Sequence, residues 1–123
     1  MEKQKNILGD EIDSCCENPI TGFFRDGFCN TDERDQGVHT VCVKMTEEFL
    51  NFSKSKGNDL STPRPEFNFP GVKEGDSWCL CAERWAEAYE FNMAPRLYLK
   101  RTNIRTLDIV PLEILKKFAI DLN

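Results

Sequence analysis

No stretch of the chain approaches the roughly 18 consecutive apolar residues that a membrane-spanning helix needs. From Met1 to Asp13 the residues Glu2, Lys3, Lys5, Asp10, Glu11 and Asp13 are interrupted only by Ile7, Leu8 and Ile12 among the large apolar types. The continuous apolar stretch of a secretory signal is therefore missing. The expectation is a cytoplasmic protein with no membrane contact. Positive charge is also in short supply: 16 Lys and Arg against 21 Asp and Glu leave a net charge of -5, a field that repels phosphate backbones and argues against nucleic-acid partners. The one basic cluster, Arg96, Lys100, Arg101 and Arg105, reads as a solvated strand edge. Histidine occurs once, at His39. There is no internal repeat, phosphate loop, Gly-rich dinucleotide turn or nucleophile elbow. The acidic run Asp26, Asn30, Asp32, Glu33 and Asp35 fails as a calcium loop. Counting from Asp26 places Phe28 third, and counting from Asn30 places Arg34 fifth, where oxygen ligands are required. No complete catalytic signature remains, so enzyme or not stays open.

What the chain does contain is ordinary globular composition, 40% hydrophobic and 30% charged over 123 residues. That is enough for one domain, residues 1–123, with 1–7 expected to be loosely ordered. Turn formers crowd the region through Gly37, with one short hairpin near Phe23 to Cys29. Val38–Val43 is a β-branched strand. Thr46 N-caps a helix with Glu47 and Glu48 in its first turn, Met45 and Leu50 are placed to staple it, and Gly57 closes it. A proline-stiffened connection follows to Gly75, then a Glu74–Asp76 turn and a strand Ser77–Cys81. Ala82, Trp85, Ala86 and Tyr89 lie on one face of a second helix, with Asn92 and Pro95 beyond its end. Arg96–Arg101 and Leu107–Val110 are further strand candidates, and Pro111 opens a last helix with Ile114, Leu115 and Phe118 inward. The fold class is α+β: a small, mainly antiparallel or mixed sheet with about three helices and long ordered Pro/Gly-rich loops.

Cysteine is the conspicuous residue type. The six are Cys15, Cys16, Cys29, Cys42, Cys79 and Cys81, fewer than the roughly 8–10% of a secreted disulfide scaffold. Without an export signal, structural disulfides are not expected. No Cys-x-x-Cys knuckle is present, so no cofactor is predicted, although zinc is the metal that Cys29, His39, Cys79 and Cys81 would suit. Cys79-x-Cys81 puts two sulfurs on one face of a strand, whereas His39 and Cys42 face opposite sides unless a bulge intervenes. For nucleophilic chemistry the candidates are His39 as base with Cys42 or Cys79. The bland reading of each cysteine is a small buried hydrophobe.

Two loop segments concentrate polar groups. Thr21–Gly27 sets Arg25 and Asp26 between aromatics and glycines, and Gly57–Pro65 packs Asn58, Asp59 and Arg64 into a stiff loop. With Asp76, Trp78 and Arg84 these are the candidate binding residues, because stiff loops preorganise polar groups cheaply. Their bland role is to satisfy loop backbone. The best functional reading is a polar, loop-built pocket for an unknown small molecule or protein. A Cys/His thiol enzyme and a zinc-stabilised structural domain are the alternatives.

Taken together, Thr21–Gly27, Gly37–Cys42, Met45–Leu50, Gly57–Pro65, Phe69-Pro70-Gly71, Gly75–Cys81 and Arg84-Trp85-x-Glu87-Ala88 resemble an uncharacterised, mainly bacterial family, domain of unknown function 2237. The resemblance runs from about Leu8 to the C-terminal helix. It implies a small stand-alone cytoplasmic protein and assigns no activity. Cys15, Cys29, Cys42, Cys79, Cys81 and His39 stand at positions matching the family pattern. Phe28 stands where members often carry a further cysteine, which weakens any metal site built on that position, and Cys16 has no counterpart.

Overall fold

The computed structural model describes residues 4–122. Its sheet has two antiparallel strands, β1 (His39–Lys44) and β2 (Ser77–Cys81). Three α-helices complete the frame: α1 (Glu47–Ser55), α2 (Ala82–Glu90) and α3 (Leu112–Lys117). This is a small α+β fold with long irregular connections.

The β1–β2 ladder sorts the interior into two parts. Val41 pairs with Leu80 and Val43 with Trp78, and these four join the main core with Phe49, Trp85, Leu97, Leu99 and Leu115. On the opposite face Cys42 pairs with Cys79, inside a smaller cluster with Ile12, Cys15 and Cys29. The register slips between His39 and Val41, leaving Thr40 as an extra, bulged residue. His39 therefore pairs with Cys81 and lies on the cysteine face, not the face that simple alternation from Val41 would give it.

Local chemistry accounts for the helices. The Thr46 hydroxyl accepts from the Phe49 N–H at 3.1 Å, and Met45 and Leu50 are both buried, as a stapled helix start requires. Gly57 has φ +90° just past the end of α1. In α2 the buried positions are Ala82, Trp85 and Ala88. The indole of Trp85 stacks on Tyr89 and meets Phe118 edge-on, and its N–H donates to the Pro95 carbonyl at 3.0 Å.

Several expectations need correction. Gln4–Ile7 are not loose: the Gln4 amide exchanges two hydrogen bonds with the Thr31 backbone, and Ile7 is buried; residues 1–3 lie outside the described residues. Only Leu97 of the Arg96–Arg101 segment forms bridges, to Val43 and Ala119. Leu99–Arg101 turns into a 3-10 helix, because the Asp121 carboxylate accepts from the backbone N–H groups of Leu99 and Lys100 and replaces a neighbouring strand. Ile104–Asp108 is also a 3-10 helix, started by the Asn103 side chain accepting from the Arg105 N–H. In place of a Phe23–Cys29 hairpin there are consecutive turns closed by Arg25 N–H to Gly22 and Gly27 N–H to Thr21 carbonyls.

Structural disulfides, not expected from the sequence, are present: Cys15–Cys42 and Cys29–Cys79. Pairing depends on where Cα atoms meet, here 5.7 and 5.3 Å apart, which the spacing of cysteines along the chain does not give. Each ties the loop-rich first third to the sheet. Closing loops of 27 and 50 residues contributes about 3–4 kcal/mol apiece in the chain-entropy view.

In the proline-rich connection, Asp59 organises its own loop. Its carboxylate accepts from the N–H and hydroxyl groups of both Ser61 and Thr62. The Thr62 hydroxyl foremost, then the two backbone N–H groups, hold the carboxyl down at about 2.

Two outcomes follow. Trp85→Ala removes the largest fully buried side chain and should cost about 3–5 kcal/mol, read as a lower urea midpoint at unchanged slope under non-reducing conditions. For Asp59 the folded-state value lies below the ordinary 3.8, so its contribution to stability is complete above that range and disappears as pH falls through about 2. A carboxyl-carbon NMR titration of the folded chain should place its midpoint near 2; an ordinary midpoint would show that the loop is not built around this carboxylate.

Candidate functional site

One cleft of about 540 Å³ collects side chains from four separate segments, a volume suited to a small molecule. The first turn region supplies Gly22, Phe23 and Arg25; the approach to β1 supplies Gly37 and His39; the loop after α1 supplies Asn58 and Leu60; β2 and α2 supply Trp78, Cys81 and Arg84.

His39 is the most tightly specified of these. The Asp35 side chain is fully buried. One of its oxygens lies 2.6 Å from His39 Nδ1; the other accepts from the His39 N–H at 2.9 Å and the Thr31 hydroxyl at 3.0 Å. A carboxylate can only accept, so Nδ1 carries a proton and Nε2 is left with its lone pair when the ring is neutral. Gly37 lies against the ring: a Cβ there would come within 2.7 Å of Cε1. Phe23 stacks at 6.4 Å with an interplanar angle of 20°. The imidazole is thus oriented by hydrogen bonds and packing, yet its side chain remains 43% exposed.

The backbone leading to this arrangement is strained. Val38, immediately before His39, has φ +50°, and Arg25 has φ +55°, a region costly for side chains with a Cβ and most of all for β-branched ones. At Gly22 a Cβ would meet the Phe28 carbonyl oxygen at 2.2 Å, so only glycine allows the turn that presents Phe23 and Arg25.

Charge around the cleft is positive although the chain is acidic. The Arg25 guanidinium lies 5.3 Å from the Trp78 ring centroid, and its Nη1 donates to the Gly22 carbonyl at 3.4 Å. Arg84 Nη1 donates to the Lys56 carbonyl at 3.1 Å and reaches Glu87 at 3.4 Å. Cys81, a free half-buried thiol, occupies the N-cap of α2, where the helix dipole presents its positive end.

Of the residues singled out from sequence, Arg25, Asn58, Trp78, Arg84 and His39 meet here, together with Cys79 and Cys81. Asp26, Asp59, Arg64 and Asp76 do not line the cleft. Asp26 accepts from the Phe28 N–H and the Asn30 amide, Asp59 closes its own turn, Asp76 accepts from the Lys73 N–H, and Arg64 is exposed at a tight turn with Phe69. Cys42 and Cys79, the nucleophile candidates, are bonded to Cys15 and Cys29, so neither is a thiol. Of the metal candidates, Cys29 and Cys79 share a disulfide, and Cys79, His39 and Cys81 line the cleft. Sequence reasoning passed over Asp35 and Gly37. The available signal was the run Asp35-Gln36-Gly37-Val38-His39, an acid four residues before the lone histidine across a glycine turn.

No helix among the described residues is long and apolar enough to cross a membrane. No curated protein matches the chain. One family does, described as an uncharacterized protein conserved in bacteria, domain of unknown function 2237, and the match extends over residues 5–119. The chain belongs to that family.

Proposed function

We propose that the cleft binds a small anionic molecule and that Cys81 acts on it, with His39 as base and Asp35 as the group that orients it. The observation that carries this reading is the Asp35–His39 hydrogen bond at the rim of a cleft that also contains a free thiol. The ladder supports it further, since His39 and Cys81 are direct partners across β1 and β2 and neighbouring side chains of such a pair lie close together. Burying a carboxylate costs several kcal/mol unless its lone pairs are used. The His39 N–H and the Thr31 hydroxyl both bond one Asp35 oxygen, and the imidazole bonds the other, so the bond that satisfies the buried carboxylate also fixes a ring that is 43% exposed. Arg25 and Arg84 give the ligand its sign, and the Trp78 and Phe23 rings give it apolar surface.

A plain binding module, the reading closest to composition alone, would use the same arginines and leave the thiol idle. The acidic chain fits a cytoplasmic setting, and the proposed partner is a small molecule, not nucleic acid or membrane.

Alkylation of the Cys16→Ser chain under non-reducing conditions separates these readings, because Cys81 is then its one free thiol. Asp35→Asn or His39→Asn should slow iodoacetamide alkylation about tenfold, the effect of losing about 1.4 kcal/mol of transition-state stabilisation. Arg84→Ala should slow anionic iodoacetate while leaving neutral iodoacetamide unchanged. Equal rates in all chains would refute thiol chemistry, and equal iodoacetate and iodoacetamide responses to Arg84→Ala would remove the anion preference.

A further inference from the structure

We propose that Cys15, Cys29, Cys42 and Cys79 form a second site: when their two disulfides are reduced, the four sulfurs hold one zinc ion. Two disulfides require only that sulfurs meet in pairs. Here the pairs also meet each other, because the sulfurs of Cys15, Cys29 and Cys79 all lie within 4.8 Å of one another, and Cys42 is bonded to Cys15. A tetrahedral zinc tetrathiolate with zinc–sulfur bonds of about 2.3 Å has sulfur–sulfur edges of about 3.8 Å. For Cys15, Cys29 and Cys79 the spacing is within about an ångström of that geometry, while the Cys42 sulfur lies farther than 4.8 Å from at least one of them and swings inward once its bond to Cys15 opens.

The cysteines would stay gathered after reduction, because other bonds hold their backbones. The Thr102 hydroxyl accepts from the Cys42 N–H at 3.0 Å and the Thr21 hydroxyl accepts from the Cys79 N–H at 2.8 Å. Cys42 and Cys79 face each other across the ladder, which does the work of a Cys-x-x-Cys knuckle. Cys15 N–H donates to the Gly27 carbonyl at 2.7 Å, and the Cys29 carbonyl accepts from the Asn103 amide at 3.1 Å. Ile12, Phe28 and Tyr98 close the surroundings, so no open coordination position faces solvent and the site is structural.

The redox balance is explicit. Each disulfide takes two electrons and two protons from a dithiol, which leaves as its own disulfide. The four resulting thiols then release four protons as the thiolates take up Zn²⁺. A disulfide oxidant reverses this, re-forming both bonds and expelling the metal. Cys16 and Cys81 take no part.

The test uses the full chain, reduced with a phosphine under anaerobic conditions and exposed to zinc or cobalt. Native mass spectrometry should show one metal ion per chain, and the cobalt form should show thiolate-to-cobalt charge-transfer absorption. Differential alkylation with peptide mapping should find Cys15, Cys29, Cys42 and Cys79 protected by zinc and Cys16 and Cys81 reactive. The double variant Cys16→Ser/Cys81→Ser should bind zinc as the parent does. Cys15→Ser should weaken binding roughly a hundredfold or more; since that variant also loses a disulfide, the protection map of the unsubstituted chain is the deciding measurement. A reduced chain that takes up neither metal, or protection that includes Cys81 in place of one of the four, would overturn the proposal.

Discussion

Thr40 is an extra residue in a two-stranded ladder, and its presence decides which side of the sheet His39 occupies. Without it, alternation from Val41 would turn His39 toward the main core, among Leu80, Trp78 and Phe49, where an imidazole would have no partner. The bulge turns it toward Cys81 and the cleft. The displaced residue is itself fully buried and satisfied: its carbonyl accepts from the Asn103 N–H, and its hydroxyl is 2.7 Å from that of Thr106. The 3-10 segment after Asn103 thus fills the space the bulge opens. Most of what the cleft can do depends on this one irregularity.

Around it the chain accepts several locally unfavourable features at once. Val38 and Arg25 adopt left-handed backbone conformations, and Asp35 is buried as a carboxylate acceptor. Left-handed residues of this kind cost about 1–3 kcal/mol each. Stability alone would favour glycine at either position, since glycine adopts that conformation without a clash. The strain is confined to the segments that present Arg25 and His39, so the surrounding structure determines where these two side chains go. Elsewhere the chain uses asparagine, at Asn68 and Asn92, which tolerates the conformation far better.

Elements governed by neighbours in sequence were legible. The Thr46 cap, the Met45–Leu50 staple, Gly57 after α1 and the Glu74–Asp76 turn each rest on contacts a few residues apart; the face of α2 was read in part, since Ala82 and Trp85 are buried but Ala88 is buried where Ala86 and Tyr89 are only partly so. The 3-10 segments were not, because at Leu99 and Lys100 the deciding acceptor is Asp121, some twenty residues downstream. The cleft was half legible: stiff loops with arginines and aromatics pointed to Arg25, Asn58, Trp78 and Arg84. Carboxylates in the same loops looked equivalent but are consumed by turns, since Asp26, Asp59 and Asp76 each find backbone N–H groups within a few residues. Disulfide pairing could not be read at all, because spacing does not fix connectivity and the partners are 27 and 50 residues apart.

Cleft and sulfur cluster share a strand, which raises the question of whether a change in one must disturb the other. Cys79 lines the cleft between Trp78 and Leu80, so opening its disulfide would release the floor if nothing else held it. The hydrogen bonding argues otherwise. The Cys79 N–H is held by the Thr21 hydroxyl, and Thr21 directly precedes the Gly22–Arg25 turn that forms the facing wall. That bond clamps wall to floor without using sulfur, and the Val41–Leu80 and Val43–Trp78 pairs anchor the same strand in the main core. The sulfurs can therefore change partners while the backbone beneath the cleft keeps its position, and the two sites are free to serve different ends.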